Sequence, residues 1–321
     1  MKLSTDPKVL KCLLAINLDI NIWTARRKLN PDDFKHSDLP PEQLATLGSK
    51  KICDPKELRI FGTLKARAVN LLDRTGVRFL GGWALPENKS LEIMKQLDVI
   101  AEEFRVAKEN FIKNYDQAVQ NWISHNAGWE QIIQNSVVSA NYVEKRIGFN
   151  YQLFKVVNPT GKQRYELEKG LQNEVTNLGG TLFDEIAKAA SEAYNKSYQG
   201  KTEITRKALS PLKNIREKLS DLSFVEPRVN PVAKLIDSAL NKIPKRGAII
   251  DTDLLMLQGL LLLLTNTNSL TTYAQEILDG KSNDDILSSL IKVETKVKED
   301  KQAKFVEDKD SIIKLDSMGL W

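Results

Sequence analysis

The chain has 321 residues, of which 41% are hydrophobic and 28% are charged, and its formal net charge is +5. This size and composition allow a substantial buried core, and they exclude a natively unfolded or membrane-embedded composition. The two cysteines and two histidines are too few for a disulfide framework and lack the spacing of a zinc site (Cys12, Cys53, His36, His125).

The N-terminal stretch MKLSTDPKVLKCLL has no apolar segment long enough for a signal peptide before polar residues follow. We therefore expect a cytoplasmic protein. Residues 151–250 are net basic and residues 251–321 are net acidic. This asymmetry is compatible with an anionic partner or with a tail that folds onto a basic face, and equally with ordinary mixed-charge helices.

The first element is predicted from an alternation of apolar and polar residues between Ile16 and Ile22. Period two indicates a half-buried strand, although the apolar residues from Leu13 to Trp23 would also fit a helix face. The segment then continues into a compact cationic cluster beside an aromatic residue (Trp23, Arg26, Arg27, Lys28).

A helix is predicted next, over about residues 55–74. Asp54 can cap it, Pro55 suits the first turn, and Glu57 stands three residues after the cap. The stretch VRFLGGWAL at 77–85 then predicts a strand or bent strand around a glycine pair. We expect these short N-terminal strands to hold all of the β structure.

The remainder is predicted to be helical. Apolar residues recur every three or four positions from about residue 87 to 122, which indicates one amphipathic helix of roughly 55 Å with coiled-coil-like spacing. Residues 129–147 continue as helix, and a mate is predicted over 162–199, interrupted by Gly179 and Gly180. Shorter helices follow over 202–223, 230–242, 251–265 and 268–279.

The expected fold is therefore mainly α, an elongated antiparallel helical bundle with a small N-terminal β element. We place the domains at 1–86 for the α+β element, 87–297 for the bundle, and 298–321 for a charged tail with an apolar tip.

The most apolar stretch, LLMLQGLLLLL at 254–264, spans about 17 Å as a helix, well short of the roughly 30 Å of a bilayer core. Gln258 and Gly259 interrupt it. We expect it to be a core helix or a subunit contact and not a membrane span.

Enzyme signatures are absent from the sequence. No phosphate-binding loop, HExxH, CxxC or GxSxG occurs, and no GxGxxG follows a strand. The acidic pairs Asp251/Asp253 and Asp284/Asp285 stand at predicted helix starts, where capping explains them. The sequence therefore predicts no catalytic residue, no cofactor and no metal, with an enzyme of unfamiliar type left as an alternative.

Two further sets of residues could contact partners. A basic stretch could bind nucleic-acid phosphates or could simply be a solvated helix face (Arg206, Lys207, Lys213, Arg216, Lys218). The C-terminal Leu320 and Trp321 could dock into a partner pocket or fold back onto the chain's own core.

Three stretches carry a resemblance to a known family: INLDINIWTARRKLN at 16–30, LGSKKICDPKE at 47–57 and DRTGVRFLGGWALP at 73–86. They resemble a family of uncharacterised, mostly helical proteins from bacteria, phages and integrative conjugative elements. The resemblance implies genes adjacent to a MoxR/CobS-type AAA+ ATPase and a von Willebrand A domain protein. It supplies no catalytic residues.

The resemblance implies a non-enzymatic helical adaptor or scaffold that works with the AAA+ ATPase in a mobile-element or phage-related system. One alternative is a nucleic-acid-binding accessory protein. Another is a helical protein that oligomerises and inserts into membranes through residues 254–264. The sequence leaves open whether the chain forms a homo-oligomer. The candidate partner-binding residues are Trp23, Arg26, Arg27, Lys28, Gly81, Gly82, Trp83, Leu320 and Trp321.

Overall fold

The computed structural model describes residues 7–34, 45–157 and 164–291. The helices are α1 (Pro7–Lys11), α2 (Arg59–Thr75), α3 (Ser90–Lys113), α4 (Tyr115–His125), α5 (Glu130–Gln134), α6 (Ala140–Glu144), α7 (Arg164–Ser197), α8 (Ser210–Asp221), α9 (Val229–Lys242), α10 (Asp251–Thr265) and α11 (Thr267–Leu278), and residues 283–291 are also helical. The strands are β1 (Leu13–Asn21), β2 (Arg26–Lys28), β3 (Ser49–Lys51), β4 (Val77–Phe79), β5 (Gly82–Pro86), β6 (Gly148–Phe154), β7 (Glu203–Ile204) and β8 (Ile249–Ile250). A mainly helical fold is thus confirmed.

The chain divides into two compact units. The sheet unit is Cys12–Val157, and the helical unit combines Met1–Lys11 with Asn158–Trp321. This division differs from the boundary predicted after residue 86. The reason is strand β6, which returns to the sheet and pairs with β1 from Ala15 to Asn21.

The sheet unit is built on a four-stranded antiparallel sheet with the strand order β4-β5-β1-β6. The predicted alternation is confirmed as strand β1, in which Ile16 and Ile20 are buried while Asn17 and Asp19 are exposed. Strand β6 was not predicted, and neither were β7 and β8, which pair in the helical unit. The β structure therefore extends beyond the N-terminal third.

Leu80 and Gly81 form the turn between β4 and β5, and Gly82 is the first residue of β5. Leu80 and Gly81 both have positive φ, at 48° and 77°. Gly82 lies against β1, where an added Cβ would be only 2.2 Å from the carbonyl oxygen of Ile16 and from Oδ1 of Asn17. The close contact of β5 and β1 thus requires glycine at this position.

Helices α2 and α3 pack against each other and supply the core of the sheet unit with apolar and aromatic side chains. Asp54 caps as predicted by accepting from the Lys56 amide, although a short 3₁₀ turn precedes α2 at Arg59. The single long helix predicted over 87–122 is instead two, α3 and α4, separated at Asn114. The side-chain amide of Asn114 donates to the carbonyl of Asn110 at 2.9 Å, a local bond that competes with continuation of the helix.

In the helical unit, α7 continues without a break through Gly179 and Gly180. Helix α10 is buried almost all round. The two interruptions of its apolar run have partners: the Gln258 amide donates to the carbonyl of Tyr198 at 2.9 Å, and Gly259 lies against Leu290.

Within the described residues, no single helix has the length and apolarity needed to cross a membrane. Helices α10 and α11 reach that length and apolarity only as a pair, and they are bent by 108° relative to each other.

Candidate anion-binding cleft

An open cleft of about 400 Å³ lies at the end of the central strand of the sheet unit. One wall is the backbone that leaves β1, the second is the start of β2, and the third is α6 with the turn that follows it. The lining residues are Asn21, Ile22, Trp23, Thr24, Arg26, Arg27, Tyr142, Lys145 and Arg146.

The first two walls are shaped by a tight turn. Ala25, which is buried, adopts φ 55°, and its carbonyl accepts from the amide of Ile52 at 2.9 Å. Strand β2 then pairs antiparallel with β3, so that Arg26 stands opposite Lys51 and Arg27 opposite Lys50. Arg26 and Arg27 both line the cleft at this end of the ribbon.

The floor of the cleft is held by aromatic packing. Trp23 is buried, and its ring meets those of Tyr115 and Phe111 at centroid distances of 5.7 and 6.4 Å. The Tyr115 hydroxyl donates to the carbonyl of Val138 at 2.9 Å, and burial raises the pKa of that hydroxyl to about 12. The indole of Trp122 donates to the carbonyl of Lys51 at 3.0 Å. These contacts fix the ribbon against α4.

Two guanidinium groups meet at one aromatic ring. The Arg146 guanidinium carbon lies 3.5 Å from the centre of the Tyr142 ring, and that of Arg27 lies 5.1 Å away. Nη1 of Arg27 also approaches the Tyr142 hydroxyl at 3.5 Å. Such cation–π contacts hold charged groups in place without neutralising them.

The cleft is cationic, and none of the described residues that line it carries a carboxylate. Arg26, Arg27, Lys145 and Arg146 form no ion pair with any of the residues that the structure describes. Lys50, by contrast, is paired with Asp33 at 2.5 Å. The cleft therefore has an unbalanced positive potential, which attracts anions.

Nε of Arg27 is buried and has no hydrogen-bond partner among the residues that the structure describes. A buried charged donor without an acceptor carries a desolvation cost of about 1–3 kcal/mol or more. The Nε and Nη2 edge of a guanidinium matches two oxygens of a carboxylate or phosphate. Solvent cannot reach Nε of Arg27, and neither can an oxyanion in the open cleft, so Arg27 attracts an anion there through the charge of its guanidinium group.

The arrangement suits the binding of anions. The described side chains that line it are four cations, one phenol, one indole, one amide, one hydroxyl and one aliphatic group, that of Ile22. Among the residues described, no group of three or more histidine, cysteine or acidic side chains could hold a metal ion.

The structure brings together three of the predicted partner-binding residues, since Trp23, Arg26 and Arg27 all line the cleft. Lys28 lies in the same strand but outside the lining. Leu320, Trp321, the tail from 298 and His36 lie outside the described residues.

Gly81, Gly82 and Trp83 occupy the β4–β5 hairpin. The Trp83 indole is buried and donates to Oδ1 of Asp73 at 2.8 Å, and the Arg78 guanidinium carbon lies 4.0 Å from the centre of its ring. These contacts account for the three residues structurally, and their role in partner binding stays a prediction.

The predicted nucleic-acid-binding residues do not form one free surface. Lys218 is buried and paired with Glu185 at 2.6 Å, and Arg216 lies 3.3 Å from Asp237. Arg206 donates to the carbonyl of Pro244. Lys207 and Lys213 are exposed.

Sequence reasoning missed the third wall of the cleft. The signal was present in NYVEKRI, where Lys145 and Arg146 follow Tyr142 by three and four residues. That spacing places a cation beside an aromatic ring on one helical face.

The model of one protein family, described as a protein of unknown function (DUF3150), matches residues 10–266. The matched range contains every residue that lines the cleft. No curated protein and no solved structure matches the chain.

Proposed function

This chain belongs to the DUF3150 family of proteins of unknown function, and we propose that it is a non-enzymatic adaptor that docks an anionic segment of a partner protein in the cleft. The observation that carries the proposal is the cationic lining of the cleft, in which Arg26, Arg27, Lys145 and Arg146 form no ion pair with any residue that the structure describes. The Tyr142 ring holds two of these guanidinium groups in place, and this preorganisation lowers the cost of binding an oxyanion.

The proposed partner is the MoxR/CobS-type AAA+ ATPase implied by the resemblance, together with the von Willebrand A domain protein, in a mobile-element or phage-related system. We propose three further properties for this adaptor: an elongated antiparallel bundle, coiled-coil-like packing and a cytoplasmic location. A cleft in one compact unit, together with a separate helical unit, suits a protein that holds one component while another is remodelled.

The two alternatives have less support. A nucleic-acid surface on the helical unit would require Lys218 and Arg216, which already have acidic neighbours. Insertion of residues 254–264 into a membrane would require release of a helix whose apolar residues are nearly all buried, with Leu262 the most exposed at 39%.

The test is co-purification of the full chain with the encoded ATPase and von Willebrand A domain protein. The cleft variant carries Arg27→Gln and Arg146→Gln. Its matched control is Arg105→Gln, which removes an exposed arginine of the same unit that pairs with Glu102 and Glu109 on α3.

We expect the wild type and the control to recover the ATPase, and the cleft variant to lose it. Recovery should also fall as salt is raised, since the contact is ionic. Equal recovery by all three proteins would place the contact elsewhere, and recovery by none would remove the adaptor proposal.

A further inference from the structure

We infer that the group bound in the cleft is a phosphate monoester dianion. The inference rests on the proposed function only in taking the same cleft as the docking site. It specifies the chemistry that the anionic segment must present there.

The charge of the cleft favours a dianion. Among the described residues that line it, three are arginines, one is a lysine and none carries a carboxylate (Arg26, Arg27, Arg146, Lys145). A single carboxylate would leave most of this charge unbalanced. A phosphate monoester carries close to two negative charges at neutral pH and pairs strongly with clustered arginines.

The placement of the cations on two walls of the cleft favours a tetrahedral group. Arg26 and Arg27 reach the cleft from strand β2, whereas Lys145 and Arg146 reach it from the turn after α6. A carboxylate offers two oxygens in one plane. A phosphate monoester offers three terminal oxygens that point in different directions, so it can accept from both walls at once.

The aromatic residues disfavour a nucleic acid. Single-strand binders present free ring faces on which bases stack. Here the Arg146 guanidinium lies 3.5 Å from the Tyr142 ring centre, and Trp23 is only 6% exposed. The cleft thus offers cations without a free stacking platform, which suits a monoester on a protein better than a phosphodiester chain.

The experiment is calorimetric titration of the purified full chain at constant ionic strength. The probes are inorganic phosphate, phosphoserine, acetate and a short single-stranded oligonucleotide. The variants are Arg27→Gln, Arg27→Lys and Lys145→Gln, of which the second keeps the charge but loses the planar fork of guanidinium donors and the third changes an exposed residue. Arg105→Gln is the control, and circular dichroism monitors folding.

We expect saturable binding of phosphate and phosphoserine and none of acetate over the same concentration range. Loss of a charge-assisted hydrogen bond should weaken binding about 10-fold or more in both Arg27 variants. Lys145→Gln should also weaken it, and this variant decides the matter if the Arg27 variants do not fold. Arg105→Gln should bind as the wild type does.

Three outcomes would overturn the inference: no saturable phosphate binding, acetate binding as tightly as phosphoserine, or the same loss in the control. If the oligonucleotide binds more tightly than phosphoserine, the ligand of the cleft is a nucleic acid and not a phosphate monoester. Carboxylate binding with the ATPase still recovered would leave the adaptor proposal standing. Phosphate binding without ATPase recovery would remove the adaptor and leave the present inference.

Discussion

The ammonium group of Lys50 donates to both carboxylate oxygens of Asp33, at 2.5 and 2.6 Å, with only 9% and 10% of the two side chains exposed. Asp33 also accepts from the Asn30 amide at 2.8 Å. Burial raises the pKa of the Asp33 carboxyl, but the bonds from Lys50 and Asn30 outweigh it and lower the net pKa below its ordinary value of 3.8. Lys50 is thereby neutralised directly across the ribbon from Arg27.

The Asp33–Lys50 pair predicts that Asp33→Asn destabilises the sheet unit by about 3 kcal/mol, since a buried ammonium is left without its counter-charge. Chemical denaturation at pH 7 would measure the loss. Lys50→Met in the same background should restore part of it, because the uncompensated charge is removed. No recovery in the double variant would contradict this account.

The stabilisation of the fold by the Asp33–Lys50 pair depends on pH, and the pKa of Asp33 sets the direction of that dependence. The pKa of Asp33 is lower in the folded chain than its ordinary value of 3.8, so the stabilisation is fully present above that value. It is lost as the pH falls through the folded pKa. The stability difference between wild type and Asp33→Asn should therefore shrink only in acid, below about pH 4.

The two cysteines should differ in reactivity. Cys53 is fully buried, and burial, with the charges of Glu57 and Asp54, raises the pKa of its thiol to about 11. Cys12 is exposed. Because the thiolate is the reactive form, iodoacetamide at pH 8 should label Cys12 alone in the folded chain and both cysteines in urea, as counted by mass spectrometry. Native labelling of Cys53 at the rate of Cys12 would show that this region opens.

Local signals predicted the fold well where the pairing is local, and less well where it is not. Period two at Ile16–Ile22 identified β1, and the Asp54 cap identified the start of α2. Strand β6 has a similar alternation at Phe149, Tyr151 and Leu153. Its partner β1 lies more than a hundred residues away, so no short-range pattern relates the two.

The cleft shows the same limit. Arg26 and Arg27 were predicted as a partner-binding cluster because they adjoin in sequence. Lys145 and Arg146 join them only because β6 returns to β1 and brings α6 alongside. The burial of Arg27 Nε, which has no hydrogen-bond partner within the described part of the chain, is likewise a property of packing that residue spacing does not encode.

The hairpin glycines should respond differently to alanine. Gly82→Ala would place a Cβ 2.2 Å from the backbone of Ile16, so β5 and β1 must separate. We expect a loss of about 3 kcal/mol or failure to fold. Gly81 has nothing within 4 Å, and its φ of 77° makes Gly81→Ala cost only about 1 kcal/mol. Thermal melts of the two variants would give the order, and an equal loss would contradict the close contact.

Charge reversal in the basic stretch of the helical unit should destabilise the fold at Lys218 but not at Lys213. Lys218 is 6% exposed and lies 2.6 Å from Glu185, so Lys218→Glu would place two carboxylates together in a buried site. We expect this variant to lose about 3–5 kcal/mol. Lys213 is exposed, and Lys213→Glu should change stability by no more than about 0.5 kcal/mol.

This pair of variants separates unfolding from loss of a nucleic-acid contact. Binding of a labelled oligonucleotide is measured for both, alongside circular dichroism. If Lys213→Glu folds normally and binds as the wild type does, reduced binding by Lys218→Glu reflects unfolding, because a buried lysine cannot reach a phosphate. Reduced binding by folded Lys213→Glu, with a steep dependence on salt, would instead revive the nucleic-acid alternative for this helix face.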